Sequence, residues 1–131
     1  MCDDLKALSD FIGKKKYLFG DKPSEMDCAI FGQLAQMLWQ SYGNQSEKAL
    51  KGFPNLCDYC ERMKETIWPD WEKCTTRVKS KTNMLLSSDE IERKVYPKDT
   101  VILHQIGRGP WAPSLSPFAM KLETYLRMAT K

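Results

Sequence analysis

The sequence predicts a mainly α-helical protein in which a helical domain precedes a short strand-and-helix unit. Three observations lead to this fold class. Apolar residues recur at the three- and four-residue spacing of an amphipathic helix in four segments. A helix-start signal stands at Ser24, and a short, partly β-branched apolar run covers residues 100–106.

Length and composition are those of an ordinary globular protein. The 131 residues suffice for one domain with a core, and 42% of them are hydrophobic. A net charge of +3 spread along the chain argues against a nucleic-acid partner. No segment approaches the ~18 consecutive apolar residues of a membrane span, and the acidic start of the chain is not a secretory signal. Five cysteines without disulfide-framework spacing fit a reducing compartment, so we expect a soluble cytoplasmic protein.

The first helix is predicted over Asp3–Ile12. Leu5 and Leu8 share one face of it, and Gly13 ends it. The densest basic run of the chain follows at Lys14–Lys16. Because this run is short and leads into an apolar segment, we interpret it as a solvated helix end rather than a phosphate contact.

Ser24 opens the second predicted helix, which runs to about Gln40. Its side chain can cap free amides of the helix, and Asp27 can reach back to the Ser24 amide. This is a capping box with Asp in place of the usual Glu. Small residues within the helix would allow a neighbouring helix to approach closely: Ala29, Gly32 and Ala35.

The middle of the chain is predicted to contain one further helix. A polar loop covers Ser41–Gly52, and Pro54 then begins a helix that ends before Trp68-Pro69. From Glu72 to Asp99 the composition is polar and charged, which indicates a linker or a loosely held helix.

The pattern changes at Thr100. Residues 100–106 are predicted to form a strand, and Gly107–Pro113 a loop. A last helix begins at Ser116-Pro117 and carries apolar residues as far as Met128. Strand, loop and helix make up half of a βαβ unit, and the sequence contains no returning parallel strand.

The cysteines and the single histidine do not form a convincing site. Cys57 and Cys60 make a C-x-x-C, but a redox pair places its nucleophile at a helix start, and these lie inside a predicted helix. Structural zinc needs four ligands, and the remaining candidates, Cys74 and His104, stand on other elements. We therefore expect Cys57 and Cys60 to be structural and the chain to bind no metal. No acid or nucleophile lies close to His104 in sequence, so a hydrolase triad is unsupported.

Ser116 is the one position at which the sequence suggests a chemical role. A hydroxyl at a helix start, after a strand and a Gly/Pro loop, can hydrogen-bond a thiolate or another anion. The alternative is a plain N-cap serine, which the spacing alone favours.

Several stretches resemble a known family. Lys16–Asp27, which reads KYLFGDKPSEMD, looks like the segment that caps the core helix in the helical C-terminal domain of glutathione-transferase-fold proteins. Phe53–Arg62 and Trp68–Trp71 resemble a later helix of that domain. Asp99–Ala129 resembles the opening strand and helix of the thioredoxin-like domain. Within the family, the likeness is to the failed axon connections group, which is related to the metaxins.

The resemblance implies three regions. Residues 1–75 would be a helical domain like the glutathione-transferase C-terminal domain, residues 76–99 a linker, and residues 100–131 a partial thioredoxin-like unit. In the family the thioredoxin-like domain comes first. The reversed order implies either the junction of two tandem copies or a fragment.

The resemblance also bears on the chemistry at Ser116. It places Ser116 where related transferases carry a catalytic serine or cysteine, with Ser116 and Pro117 next to glutathione. It places Ala119 at the second cysteine of a thioredoxin pair, which excludes dithiol chemistry there. No residue can be assigned to the cis-proline loop or to the acid/serine pair that holds glutathione in the family. Glutathione binding is therefore expected only in a complete protein.

Three functions follow from the resemblance. The first is a non-catalytic protein of the failed axon connections type, which contacts partner proteins or a second copy of itself and serves axonal development. The second is a fragment of an active glutathione transferase that conjugates glutathione to electrophiles. The third is a metaxin-like component of protein import at the mitochondrial outer-membrane surface.

Overall fold

The helices begin and end close to where the sequence predicts them. A computed structural model describes residues 2–40, 45–76, 100, 101, 103, 105 and 107–130. These residues form α1 (Cys2–Ile12), α2 (Glu25–Trp39), α3 (Gln45–Lys51), α4 (Pro54–Ile67), a short 3₁₀ helix (Trp71–Cys74) and α5 (Pro117–Ala129). The predicted mainly α fold is confirmed. Of the helices described, none has the length and apolar character needed to cross a membrane.

The turn between α1 and α2 delivers a backbone amide to the start of α2. Gly13, with φ of +50°, ends α1 in the left-handed conformation that favours glycine. Tyr17 and Gly20 then pair in an antiparallel bridge, with the Tyr17 amide 2.9 Å from the Gly20 carbonyl oxygen. The side chains of Tyr17 and Leu18 are buried, so the turn is anchored in the core.

The carboxylate of Asp27 is fully buried and accepts four hydrogen bonds. Its Oδ1 accepts from the Leu18 amide and the Tyr59 hydroxyl, each at 3.0 Å. Its Oδ2 accepts from the Ser24 amide at 2.8 Å and the Ser24 hydroxyl at 2.6 Å. Burial and the nearby carboxylate raise the pKa of Tyr59, which therefore remains a protonated donor. The predicted capping box is confirmed, and the same carboxylate also joins the preceding turn and α4 to α2.

The loop predicted over Ser41–Gly52 is wrong in its second half, because Gln45–Lys51 forms α3. Residues 41–44 lie outside the described residues. Leu50 is the fully buried side chain of α3, which contacts both α2 and α4. On the exposed side, Lys51 and Glu47 form an ion pair at 2.6 Å. One buried side chain in a seven-residue helix gives almost no periodic signal, which explains the error.

The strand predicted over residues 100–106 is not present in the part of that run which the structure describes. Residues 100, 101, 103 and 105 have no strand conformation. Residues 102 and 106, and with them His104, lie outside the described residues. A strand needs a neighbouring backbone to satisfy its amides and carbonyls, and the described residues offer none. Of the predicted linker, residues 77–99 also lie outside the described part, and its predicted start at Glu72 is instead within the 3₁₀ helix.

α5 packs directly on α2, and their backbones approach each other at Gly32. A Cβ atom at this position would lie 2.7 Å from the Pro117 carbonyl oxygen and 3.1 Å from the Lys121 amide nitrogen. Cys28 and Ala35, one turn before and one turn after on the same face, are fully buried. The prediction that small residues of this helix admit a close neighbour is therefore confirmed.

Polar contacts from the segment between α4 and the 3₁₀ helix fix the second half of α5. The Trp68 indole nitrogen donates to the Thr124 hydroxyl at 3.1 Å, and both groups are buried. The Arg127 guanidinium donates to both carboxylate oxygens of Asp70 and lies 4.0 Å from the centroid of the Trp68 ring. The hydrogen bonds from Arg127 lower the pKa of Asp70. Residues more than fifty positions apart are thus held together by hydrogen bonds, an ion pair and a cation–π contact.

The hydrogen bonds between Ser24 and Asp27, and from Asp27 to the rest of the protein, predict how much stability two substitutions remove. We expect Ser24→Ala to lower the free energy of unfolding by roughly 0.5–2 kcal/mol, the usual cost of losing a cap. Asp27→Ala should cost at least about 3 kcal/mol, because it leaves the buried Leu18 amide and Tyr59 hydroxyl without their acceptor. Urea unfolding monitored by circular dichroism measures both changes. Asp21→Ala, at an exposed acid of the same loop, is the control. A Ser24→Ala protein as stable as the parent would contradict the capping role of Ser24.

The close approach of α2 and α5 at Gly32 predicts whether an alanine there raises or lowers the stability of the protein. Alanine favours a helix interior over glycine by about 1 kcal/mol, so Gly32→Ala would stabilise an open position. We expect it to destabilise this protein instead, because the new Cβ meets backbone atoms, which cannot rotate away. Gln33→Ala, on the exposed side of the same helix, is the matched control. A higher melting temperature for Gly32→Ala would show that α5 does not pack here as described.

Candidate functional site around Ser116

The loop that leads into α5 is held by side chains of α2 and α5. Gln36 and Gln40 each donate from Nε2 to the Ser114 carbonyl oxygen at 3.0 Å. The buried Ser114 hydroxyl oxygen accepts the Ser116 amide at 3.1 Å. The Gly107–Ser116 segment is therefore fixed from both sides rather than open.

Arg108 provides the second attachment of this loop. Its guanidinium donates to both carboxylate oxygens of Glu123, at 2.7 and 3.1 Å, and to the Pro113 carbonyl at 3.2 Å. Glu123 also accepts from Arg127, which in turn pairs with Asp70. These charged groups thus compensate one another, since each cation faces a carboxylate.

Ser116 occupies the N-cap position of α5, with Pro117 at the first helical position. Its backbone is extended and its carbonyl accepts the Met120 amide at 2.9 Å. Its hydroxyl, however, makes no capping hydrogen bond. The position predicted for a plain N-cap serine is therefore right, whereas the capping bond itself is missing. Ser116, Pro117 and Ala119 are all partly buried.

The described residues around the same loop form an aromatic pocket that the sequence analysis did not identify. Its volume is about 260 Å³, and the residues that line it come from α2, α4, the 3₁₀ helix and the loop: Leu38, Trp39, Lys64, Trp71, Glu72, Pro110 and Trp111. The Trp71 indole nitrogen donates to the Trp111 carbonyl at 3.2 Å, which closes one wall. The ring centroids of Trp39 and Trp71 are 4.8 Å apart. Such a pocket suits an apolar or aromatic group.

One charged side chain extends over the aromatic wall of this pocket. The Lys64 ammonium lies 5.2 Å from the Trp39 ring centroid and 5.3 Å from that of Trp71. It also pairs with Glu61 at 3.7 Å. The sequence does hold a signal for the pocket, because all four tryptophans fall in three short stretches, one of them Trp68-Pro69-Asp70-Trp71. Periodicity alone assigns these rings to the core.

The cysteines that the sequence singled out are buried or partly buried. Cys60 lies in the core, and burial raises the pKa of its thiol. Burial also raises the pKa of Cys57, whose thiol donates to the Leu50 carbonyl at 3.6 Å. Cys74 is on a different element and donates to Asp70 at 3.3 Å. Across the described residues, histidine, cysteine and acidic side chains form no group that could hold a metal ion.

We predict that Cys57 and Cys60 hold no stoichiometric zinc and form no working dithiol. Because their pKa values are raised, both thiols stay protonated at neutral pH and are poor nucleophiles. Elemental analysis of the purified protein should find well under one zinc per chain. Alkylation followed by mass spectrometry should modify Cys57 before the buried Cys60. One equivalent of zinc that is lost in Cys57→Ser but kept in Cys74→Ser would contradict this prediction.

Comparisons with known proteins identify the helical part. Residues 1–63 match the family model of the glutathione S-transferase C-terminal domain. Failed axon connections of Drosophila melanogaster is 34% identical over 83 residues, which is 58% of this chain and 19% of the fly protein. Metaxin-2 of Mus musculus is 32% identical over 69 residues, 52% of this chain and 26% of the mouse protein.

A longer match is found to metaxin-1 of Sus scrofa, which is 31% identical over 100 residues, 76% of this chain and 30% of the pig protein. The chain thus spans only about a fifth to a third of the length of these relatives. No solved structure matches it significantly. Residues 1–63 therefore match the glutathione S-transferase C-terminal domain family, and the chain is similar in sequence to failed axon connections and the metaxins.

Proposed function

We propose that this chain is a non-catalytic glutathione-transferase-fold protein of the failed axon connections type, which acts through protein contacts in the cytoplasm. The process we propose is the one that the name of the fly relative states, the connection of axons. Its partners would be other proteins, or a second copy of this chain.

The observation that supports the proposal is the set of hydrogen bonds made by the loop before Ser116. Its carbonyl at Ser114 is bound by Gln36 and Gln40, and its guanidinium at Arg108 is bound by Glu123. Polar groups close to the candidate site therefore support the packing of α5. Among the described residues the Gln36 Oε1 atom is left without a hydrogen bond, which is far fewer contacts than a flexible, charged tripeptide such as glutathione needs.

The energetics support the same conclusion. Ser116 offers one hydrogen bond to a thiolate, worth about 1.5–3 kcal/mol for a charged acceptor. Binding of free glutathione must offset the freedom that the tripeptide loses, which takes several placed contacts. A thiolate stabiliser without those contacts adds little rate, because positioning supplies much of catalysis.

Exposed apolar side chains support protein contacts as the mode of action. α5 buries Met120 and Thr124 against the rest of the protein. On its other side three large side chains remain exposed at helical spacing: Phe118 (77%), Leu122 (45%) and Tyr125 (40%). A row of exposed apolar residues on a folded protein is typical of a surface that contacts another molecule.

A metaxin-like role at the mitochondrial outer-membrane surface is the second candidate. It is supported by the matches to metaxin-1 and metaxin-2, which cover half or more of this chain. A fragment of an active glutathione transferase is the third candidate. Its support is the position of Ser116 at the N-terminus of α5.

We expect the chain to show no glutathione transferase turnover and no retention on immobilised glutathione. The assay is conjugation of glutathione to a standard aromatic electrophile, with an authentic glutathione transferase as the positive control. Ser116→Ala should behave like the parent, and circular dichroism should show that both are folded. Measurable conjugation by the parent that Ser116→Ala abolishes would overturn the proposal in favour of the enzyme.

A further inference from the structure

Two phenylalanine rings protrude from the turn between α1 and α2. Phe11 is 50% exposed and Phe19 is 68% exposed, and their ring centroids are 6.3 Å apart in an edge-on arrangement. The residues next to them point inward, since Ile12 and Leu18 are buried. Because these neighbours and the Leu18–Asp27 hydrogen bond anchor the backbone, both rings are held outside the core at a fixed position.

Lysines surround these rings. Lys14–Lys16 join α1 to the turn that carries Phe19, and all three are exposed. The Lys15 ammonium lies 3.8 Å from the centroid of the Phe11 ring. Arg62 donates from Nε to the Lys16 carbonyl at 3.1 Å, which brings a further cation from α4. We call Phe11, Phe19 and Lys14–Lys16 the aromatic–basic patch.

The patch carries an excess of positive charge. Residues 10–26 contain four lysines, the three of the patch and Lys22, against three exposed acids: Asp10, Asp21 and Glu25. Asp27 does not reduce this excess at the surface, because it is fully buried. Arg62 lies at the edge of the patch, on a helix that also exposes Asp58 and Glu65, so the excess rests on the lysines.

Protruding aromatic rings next to lysines match the surface of an anionic bilayer. The rings can enter the boundary between headgroups and acyl chains, while the ammonium groups meet lipid phosphates. The Lys15 ammonium already lies over the Phe11 ring, so positive charge and apolar surface are adjacent in the patch. An acidic protein would pair with the lysines, but it would give the two protruding rings no apolar environment.

We propose that the aromatic–basic patch binds the surface of a bilayer that contains anionic phospholipids. Phe11 and Phe19 supply the apolar contact, and Lys14–Lys16 supply the charge. This peripheral contact is separate from the protein contacts of the proposed function and does not depend on them.

The test is co-sedimentation of the full chain with vesicles. Vesicles of phosphatidylcholine mixed with phosphatidylserine should bind the protein, and binding should weaken as the salt concentration rises. Vesicles of phosphatidylcholine alone should bind it much less. Phe19→Asp should weaken binding by roughly tenfold or more, and replacing all three lysines by glutamine should weaken it by roughly a hundredfold.

Val101→Asp is the control, because it introduces the same acid at an exposed apolar residue outside both the patch and the exposed row of α5. It should bind the anionic vesicles like the parent, and thermal melting should show that every variant is folded. Four results would overturn the proposal: no sedimentation with anionic vesicles, equal binding to both vesicle types, no effect of Phe19→Asp, or an equal loss in Val101→Asp. Retention on immobilised polyglutamate without vesicle binding would also overturn it and would indicate an acidic protein partner. A dimer abolished by Phe19→Asp, again without vesicle binding, would assign the patch to a second copy of the chain.

Discussion

A carboxylate buried away from water must have its charge met by hydrogen-bond donors. In this chain the donors to Asp27 come from three separate segments: the turn before α2, the N-cap of α2 and the middle of α4. The start of α2 is therefore bonded to both the turn and α4 through this one carboxylate. α2 is also the helix on which α5 packs, so the group that fixes the start of α2 lies at the base of both contacts. The carboxylate that caps α2 thus also holds separate segments of the chain together.

The crossing of α2 and α5 adds a second constraint of a different kind. At Gly32 the backbones come together without any side chain between them, so the fit depends on the absence of a Cβ atom. The contacts beyond the crossing are polar and specific, such as Trp68 with Thr124 and Arg127 with Asp70. Side chains of the last third of the chain belong to the same core as the helical domain, as the complete burial of Ala112 and Met120 shows. Ser116 is consequently positioned by packing and by the hydrogen bonds of the loop that precedes it.

Features with a local cause could be predicted from the sequence, whereas features that join distant segments could not. Pro54 and the Ser24–Asp27 pair mark helix starts by their own chemistry, and both helices begin where those residues indicate. α3 gave no such signal, because Leu50 is its one fully buried residue. The strand at residues 100–106 was inferred from β-branched residues, a preference that has no effect without a partner backbone. The aromatic pocket joins Trp39 to Trp111, and no pattern within a short window can show that two such residues meet. The missing cap bond at Ser116 is likewise a matter of side-chain geometry rather than of residue type.

The tryptophans lie where the last third of the chain meets the helical domain. Trp68 contacts Thr124 and Arg127 of α5. Trp71 donates a hydrogen bond to the backbone of Trp111, and the Trp39 ring lies edge-on to the Trp71 ring. Since the chain contains four tryptophans in all, its intrinsic fluorescence comes almost entirely from this boundary. Emission and near-ultraviolet dichroism therefore report the attachment of α5 and its loop, while far-ultraviolet dichroism reports all the helices together. The protein thus carries a built-in optical probe of one internal interface, and no label is needed to follow that interface separately from the unfolding of the helices.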